Sequence, residues 1–120
     1  MSEKIKLGKF GEEIAALYLI NKGYKILAKN YTAAEGEIDL ICQKDNLVVF
    51  VEVKTRTNQS FGYPEEAISK EKLEKLVVVS QKYLQEKEID LGWQIDAISL
   101  IINQKTRRIG LKHLAGLDIT

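Results

Sequence analysis

The sequence predicts an α/β fold in three layers, with two helices on the faces of a central five-stranded mixed sheet. Three observations lead there. Residues 3–22 and 70–88 each carry apolar side chains at spacings of three and four, as a helix with one buried stripe does. The run Leu47-Val48-Val49-Phe50-Val51 is β-branched and aromatic without polar alternation, which marks a strand covered on both faces. The elements come in the order helix, three strands, helix, two strands, with no internal repeat and no linker-like stretch. A chain of 120 residues is expected to form one domain over 1–120. At that size it buries roughly two thirds of its unfolded surface, enough for a core without crosslinks.

The first helix is expected over about Glu3 to Lys22, with Phe10, Ile14, Leu17 and Tyr18 as its apolar face. Gly23 follows as its stop, because glycine adopts a left-handed backbone at little cost. Tyr24 to Tyr31 reads as extended, and Ala33 to Gly36 as a turn. Glu37 to Gln43 and Leu47 to Thr55 flank the turn-like Lys44-Asp45-Asn46, so they form an antiparallel hairpin. Gln59 to Pro64 reads as a loop. The second helix runs from Lys70 to about Glu88, capped by the Ser69 hydroxyl, with Leu73, Leu76, Val77, Ser80 and Leu84 inward. Gln94 to Asn103 is a further strand, and Arg107 to Lys112 pairs with it.

Composition narrows the function. The chain is 45% hydrophobic and 29% charged, which excludes a disordered tail. The single cysteine, Cys42, closes no intrachain disulfide. With no signal-peptide pattern at the lysine-rich start, a reducing cytoplasmic setting is expected. No apolar run approaches the roughly 18 residues that span a bilayer, so no membrane partner is expected. A net charge of +1 excludes a strongly basic coat for nucleic acid but leaves room for a local basic face. One histidine, His113, and one cysteine cannot build a zinc site from Cys and His ligands alone, and no serine triad or glycine-rich phosphate loop is present.

The informative residues are Gly36-Glu37-Ile38-Asp39-Leu40-Ile41 and Val51-Glu52-Val53-Lys54-Thr55-Arg56. Strand side chains alternate, so Glu52 and Lys54 project on the same side of their strand, and Glu37, Asp39 and Ile41 share a face of the preceding one. Pairing of the two strands brings Asp39 and Glu52 within reach of one metal ion. Val48 and Phe50 precede Glu52 on its own face, and burying a carboxylate there costs several kcal/mol, by order of magnitude, unless it is paired or binds a metal. Two readings follow from the spacing. One is an ion-pair cluster, Glu52 with Lys54 and Asp39 with Arg56, on a solvated hairpin face. The other is a site for a hard divalent cation, which takes carboxylate oxygens and keeps waters. Such a site can neutralise a phosphate and activate water, with the lysine orienting the nucleophile.

Asp39 followed by Glu52-Val53-Lys54 resembles the PD-(D/E)-x-K signature of restriction-endonuclease-like nucleases. The chain as a whole resembles the YraN-like family of uncharacterised bacterial proteins, which are similar to Holliday-junction resolvases. The resemblance rests on Gly8-Lys9-Phe10-Gly11-Glu12, the two segments above, and Phe61-Gly62. It implies a restriction-endonuclease-like three-layer α/β/α fold. It also implies a magnesium- or manganese-dependent endonuclease acting on DNA, branched DNA in particular, as a two-fold homodimer. Asp39 and Glu52 would hold the metal, Lys54 would position water, and Glu12 would complete the catalytic set. Ile38 stands where the signature has proline, a position that shapes the strand and donates no ligand.

Other residues carry weaker signals. Lys72, Lys75 and Lys82 lie on roughly one side of the second helix. A solvated face is the ordinary meaning of such a run, and the resemblance adds a basic residue at Lys72. Lys72, Lys75 and Arg56 are therefore the expected contacts to the DNA backbone, with Lys70, Arg107 and Arg108 as extensions. Glu37 is either an outer ligand or the partner of Lys25 or Lys29. Asp96, set in an apolar strand, reads as a buried structural acid, Tyr83 as core, and Trp93 as core or dimer packing. A nucleic-acid-binding module of the same fold without cleavage is the alternative function. A third is an assembly protein whose carboxylates only make ion pairs.

Overall fold

The computed structural model describes residues 2–57 and 68–120. The reading of 59–64 as a loop and the Phe61-Gly62 motif lie outside the described residues. The elements are α1 (Glu3–Asn21), β1 (Lys25–Ala33), β2 (Gly36–Lys44), β3 (Leu47–Thr57), α2 (Lys70–Glu86), β4 (Gly92–Ile102) and β5 (Ile109–Leu114). The strands form one five-stranded sheet in chain order. Only β3 and β4 are parallel, and the connection between them contains α2. The sheet is thus mixed, as expected, and β3 lies at its centre.

The turns follow from local chemistry. Asp45 takes a left-handed backbone (φ 54°) between β2 and β3, a conformation Asp tolerates better than most residues. α1 ends at Gly23 (φ 94°), where Tyr24 N–H donates to the Leu19 carbonyl and Gly23 N–H to that of Ile20. This paired arrangement satisfies carbonyls that a helix end otherwise leaves open. Ser69 caps α2 as expected, its hydroxyl accepting from Lys72 N–H at 3.0 Å. β5 begins two residues later than expected, at Ile109. Arg107 and Arg108 belong instead to a turn built on Asn103, whose side-chain oxygen accepts from Lys105 and Thr106 N–H.

One helix covers each face. On the α1 side, Ala15, Ala16 and Leu19 pack on Leu40, Cys42, Val49, Val51, Ile98 and Leu100. On the α2 side, Leu76, Val79 and Tyr83 pack on Ile38, Ile41, Val48, Phe50 and Ile95. β3 therefore contributes alternate residues to two cores, which is why it is apolar on both faces. Trp93 is partly buried and meets Phe50 edge to face. The α2 stripe is as expected at Leu76 and Ser80, with Leu73, Val77 and Leu84 partly buried, and Val79 and Tyr83 complete it.

The face of α1 differs from expectation. Phe10 is 47% and Leu17 63% exposed. The residues turned inward are Gly11, Ala15, Ala16 and Leu19, with Ile14 and Tyr18 partly buried. Close approach is the reason. A Cβ on Gly11 would lie 1.8 Å from Thr55 Oγ1 on β3, so small residues face the sheet and two large ones are left outside.

A candidate site where two strands part

The β2–β3 ladder runs from Lys44↔Leu47 to Leu40↔Val51 and stops there. Asp39 and Glu52 are the next residues on each strand. In place of another backbone pair, the Asp39 carboxylate turns sideways and Oδ2 accepts from Val53 N–H at 2.7 Å. A side chain thus takes the role of a peptide carbonyl. The expected alternation across Glu37, Asp39 and Ile41 breaks at this point. Ile38 and Ile41, three residues apart, join the same core.

The parting strands leave two acids buried together, Asp39 at 9% and Glu52 at 6% exposure. Burial, and then the hydrogen bond and charge of Glu52, push the Asp39 pKa up to about 9, with the Val53 N–H partly opposing. Glu12 reaches the same place from α1, held there by the close contact at Gly11. Its pKa is raised by burial and by the charges of Glu37 and Glu52, against hydrogen bonds with Asn30 and Asp39. Lys54 is half-buried beside them. Burial lowers its pKa, as does the neighbouring Lys72, while Glu52 and Asp39 pull it back up.

Lys72 is the residue that sequence reasoning misplaced. It does not lie simply on a solvated face. Its Nζ stands 3.0 Å from Glu52 Oε2, and the lysine side chain is 39% exposed. Burial works against its charge, but the Glu52 carboxylate outweighs it and the pKa is raised. The contact has the distance of an ion pair without the alignment of a hydrogen bond, so Glu52 Oε2 remains a buried oxygen with no directed donor among the described residues. The ion pairs inferred from spacing, Glu52 with Lys54 and Asp39 with Arg56, are not those formed among the described residues. Glu52 pairs with Lys72, and Asp39 leans on Val53 and Glu52. No signal along the strand reports this partner, because it arrives from a helix 20 positions later.

The remaining candidates lie around this cluster or away from it. Lys75 pairs with Glu71 at 3.6 Å on the exposed side of α2. Lys82 reaches across to Glu35 on the β1–β2 turn at 2.6 Å. Arg56 is exposed, two residues beyond Lys54 on β3. A cleft of about 390 Å³ opens beside Lys72, between the start of α2 and the start of β2, lined also by Glu37, Ser69, Lys75 and Leu76. Asp96 stands apart, because it aligns with Val51 and faces α1.

Among the described residues, no three His, Cys, Asp or Glu side chains form a ready-made metal cage. The pair Asp39 and Glu52 does suit a partly hydrated hard cation. Two buried acids press on one another, and one of their oxygens lacks a directed donor. Magnesium commonly takes one or two carboxylates and completes its shell with water. No helix among the described residues is long and apolar enough to cross a membrane.

Fold and site together define a three-layer α/β protein with an acid pair and two lysines where its central strands separate. The chain belongs to the family described as Uncharacterised protein family UPF0102, which its residues 11–100 match. It is 37% identical over 108 residues to a UPF0102 protein of Chloroherpeton thalassium, covering 89% of this chain and 84% of that one. It is 39% identical over 109 residues to a UPF0102 protein of Flavobacterium psychrophilum, covering 91% and 92%. A third relative, from a Sulfurihydrogenibium species, is 42% identical over 103 residues, covering 85% and 90%. Among solved structures, SfsA of Pyrococcus furiosus in complex with Ca2+ superposes with a TM-score of 0.45 and 14% identity. That superposition covers 97% of this chain and 65% of the longer SfsA chain, and at this score the likeness is loose.

Proposed function

We propose that this protein is a metal-dependent endonuclease of the restriction-endonuclease-like type, hydrolysing a phosphodiester in branched or otherwise structured DNA. The observation that carries the reading is the buried pair Asp39 and Glu52, in which Asp39 takes the Val53 N–H and Glu52 faces the Lys72 ammonium. A purely structural sheet gains nothing from that arrangement, because burying two acids side by side is costly. Asp39 and Glu52 would hold Mg2+ or Mn2+, which supplies charge neutralisation and an acidified water. Lys54, poised by burial to give up its proton more readily than an exposed lysine, orients the attacking water beside the acids. Glu12 closes the site from α1 and accepts a hydrogen bond from that water. Arg56 and Lys75, both exposed near the site, bind the DNA backbone. A two-fold dimer would present two such sites to a symmetric junction.

The test is cleavage of a four-way junction, a flap, a single strand and a duplex of equal length, with Mg2+ or Mn2+. The junction is expected to be cut in preference to the duplex. Lys54→Ala is expected to retain binding and to lose about a hundredfold or more in cleavage rate. Junction binding without cleavage under any metal would leave the non-catalytic binding module standing. Equally negligible binding to all four at low salt removes the nucleic-acid readings altogether.

A further inference from the structure

Lys72 has two neighbourhoods. On one side its ammonium stands 3.0 Å from Glu52 Oε2, the buried oxygen with no aligned donor. On the other side it lines the 390 Å³ cleft that it shares with Lys75. Its backbone does not choose between them, because its N–H is fixed by the Ser69 cap in the first turn of α2. Its side chain can choose, since a lysine ammonium is a compact charge on a flexible four-carbon stem.

We propose that Lys72 is a tethered counter-ion: it neutralises the acid pair in the metal-free protein, yields that place to a divalent cation, and turns into the cleft to bind a phosphate of the substrate. The inference rests on the metal reading of Asp39 and Glu52. The physical reason is charge. A divalent ion and an ammonium on the same carboxylate repel one another strongly where water is scarce. Lys54, directly beside Lys72, adds a second positive charge pressing the same way. The cleft offers somewhere to go. Its carboxylates Glu35 and Glu71 already carry Lys82 and Lys75 as partners, while Glu37 stands exposed at its edge. A lysine released there brings an ammonium that neither Glu35 nor Glu71 already holds, and a phosphodiester oxygen can take it up beside Lys75. Metal and DNA binding are thereby coupled through one side chain, each favouring the other by the same factor.

Calorimetric titration of the metal-free protein with Mn2+ tests the exchange without any turnover. Lys72→Met keeps the aliphatic stem and removes the competitor, so it is expected to bind Mn2+ about tenfold more tightly than the wild type. A second measurement needs no loss of the residue. In the wild type, the side-chain ammonium resonance of Lys72 is expected to shift toward the free, solvent-exchanging position as Mg2+ is added. In a Lys54→Ala background, where DNA stays intact, Lys72→Met is expected to weaken junction binding in the presence of Mg2+ and not in its absence. Equal Mn2+ affinity in both proteins, or an unmoved Lys72 resonance at saturating Mg2+, overturns the exchange and leaves the metal site standing. Weakening of DNA binding to the same extent without metal also overturns it, making Lys72 a permanent phosphate contact. If neither protein binds Mn2+ or Mg2+, the metal reading fails and the exchange fails with it.

Discussion

Two buried acidic regions lie back to back across β3 and β4, and they are built in opposite ways. Asp96 pairs in register with Val51, one residue before Glu52, but points to the α1 face. It is fully buried and fully served. Oδ1 accepts from Gly116 N–H at 2.9 Å and from Gln94 Nε2 at 2.8 Å, and Oδ2 lies 2.7 Å from His113 Nε2. His113 Nδ1 in turn lies 2.9 Å from the Tyr18 hydroxyl, tying β5 to α1. Asp39 and Glu52, on the other side, lean among the described residues on the Val53 N–H, on one loosely aligned lysine and otherwise on each other and a third acid, Glu12. A saturated buried acid is a fastener. An unsaturated pair is left with an oxygen to spare.

Among single substitutions, the largest effect should come from unfastening the saturated acid. Asp96→Ala leaves three donors without their acceptor and is expected to cost roughly 3 kcal/mol in denaturant melts. A loss below about 1 kcal/mol would erase the distinction between the two regions. Next in size is Gly11→Ala, which drives a methyl group into Thr55 and is expected to cost about 1–3 kcal/mol while displacing Glu12. Unchanged stability together with unchanged Mn2+ affinity would mean that α1 does not set the site's spacing.

The unsaturated pair should show itself through pH. The folded-state pKa of Asp39 is raised to about 9 from an ordinary value of 3.8. Between those values the folded protein holds a proton that the unfolded chain has released. Its contribution to stability is therefore fully present below the lower value and is lost as pH rises through the upper one. Metal-free melts are expected to fall across that window, by up to about 1.4 kcal/mol per pH unit. Asp39→Asn should flatten the slope, and saturating Mg2+ should also reduce it because the ion binds the deprotonated form. A metal-free slope identical in wild type and Asp39→Asn would sink this assignment. The smallest effect is expected from Glu52→Gln, which relieves the repulsion and frees a part-exposed lysine. Metal-free stability should stay within about 1 kcal/mol of wild type or rise slightly. A clearly lowered denaturant midpoint would make Glu52 a fastener like Asp96.

The sequence made some of this legible and hid the rest for physical reasons. The β2–β3 hairpin and the central place of β3 could be read because turn chemistry and two-faced burial are local patterns. The same holds for the Ser69 cap and the Gly23 stop. The clustering of Asp39, Glu52 and Lys54 followed from strand pairing and period. The inward face of α1 was hidden because close packing selects glycine and alanine, which hydrophobic periodicity ranks below Phe10 and Leu17. The partner of Glu52 was hidden because α2 folds back over β3, and no short-range rule links positions 52 and 72. The Asp96 network was visible only as a polar residue in an apolar strand, since Tyr18 and His113 stand 95 residues apart.

The bond from Val53 N–H to Asp39 Oδ2 gives the sheet a built-in indicator. An amide proton resonates according to the charge on its acceptor, and this acceptor is the one whose charge depends on what the site holds. Proton loss, arrival of an ion or withdrawal of the lysine would each be written into a single backbone signal at the middle of the central strand. The state of the pocket can then be followed at a residue that takes no part in its chemistry.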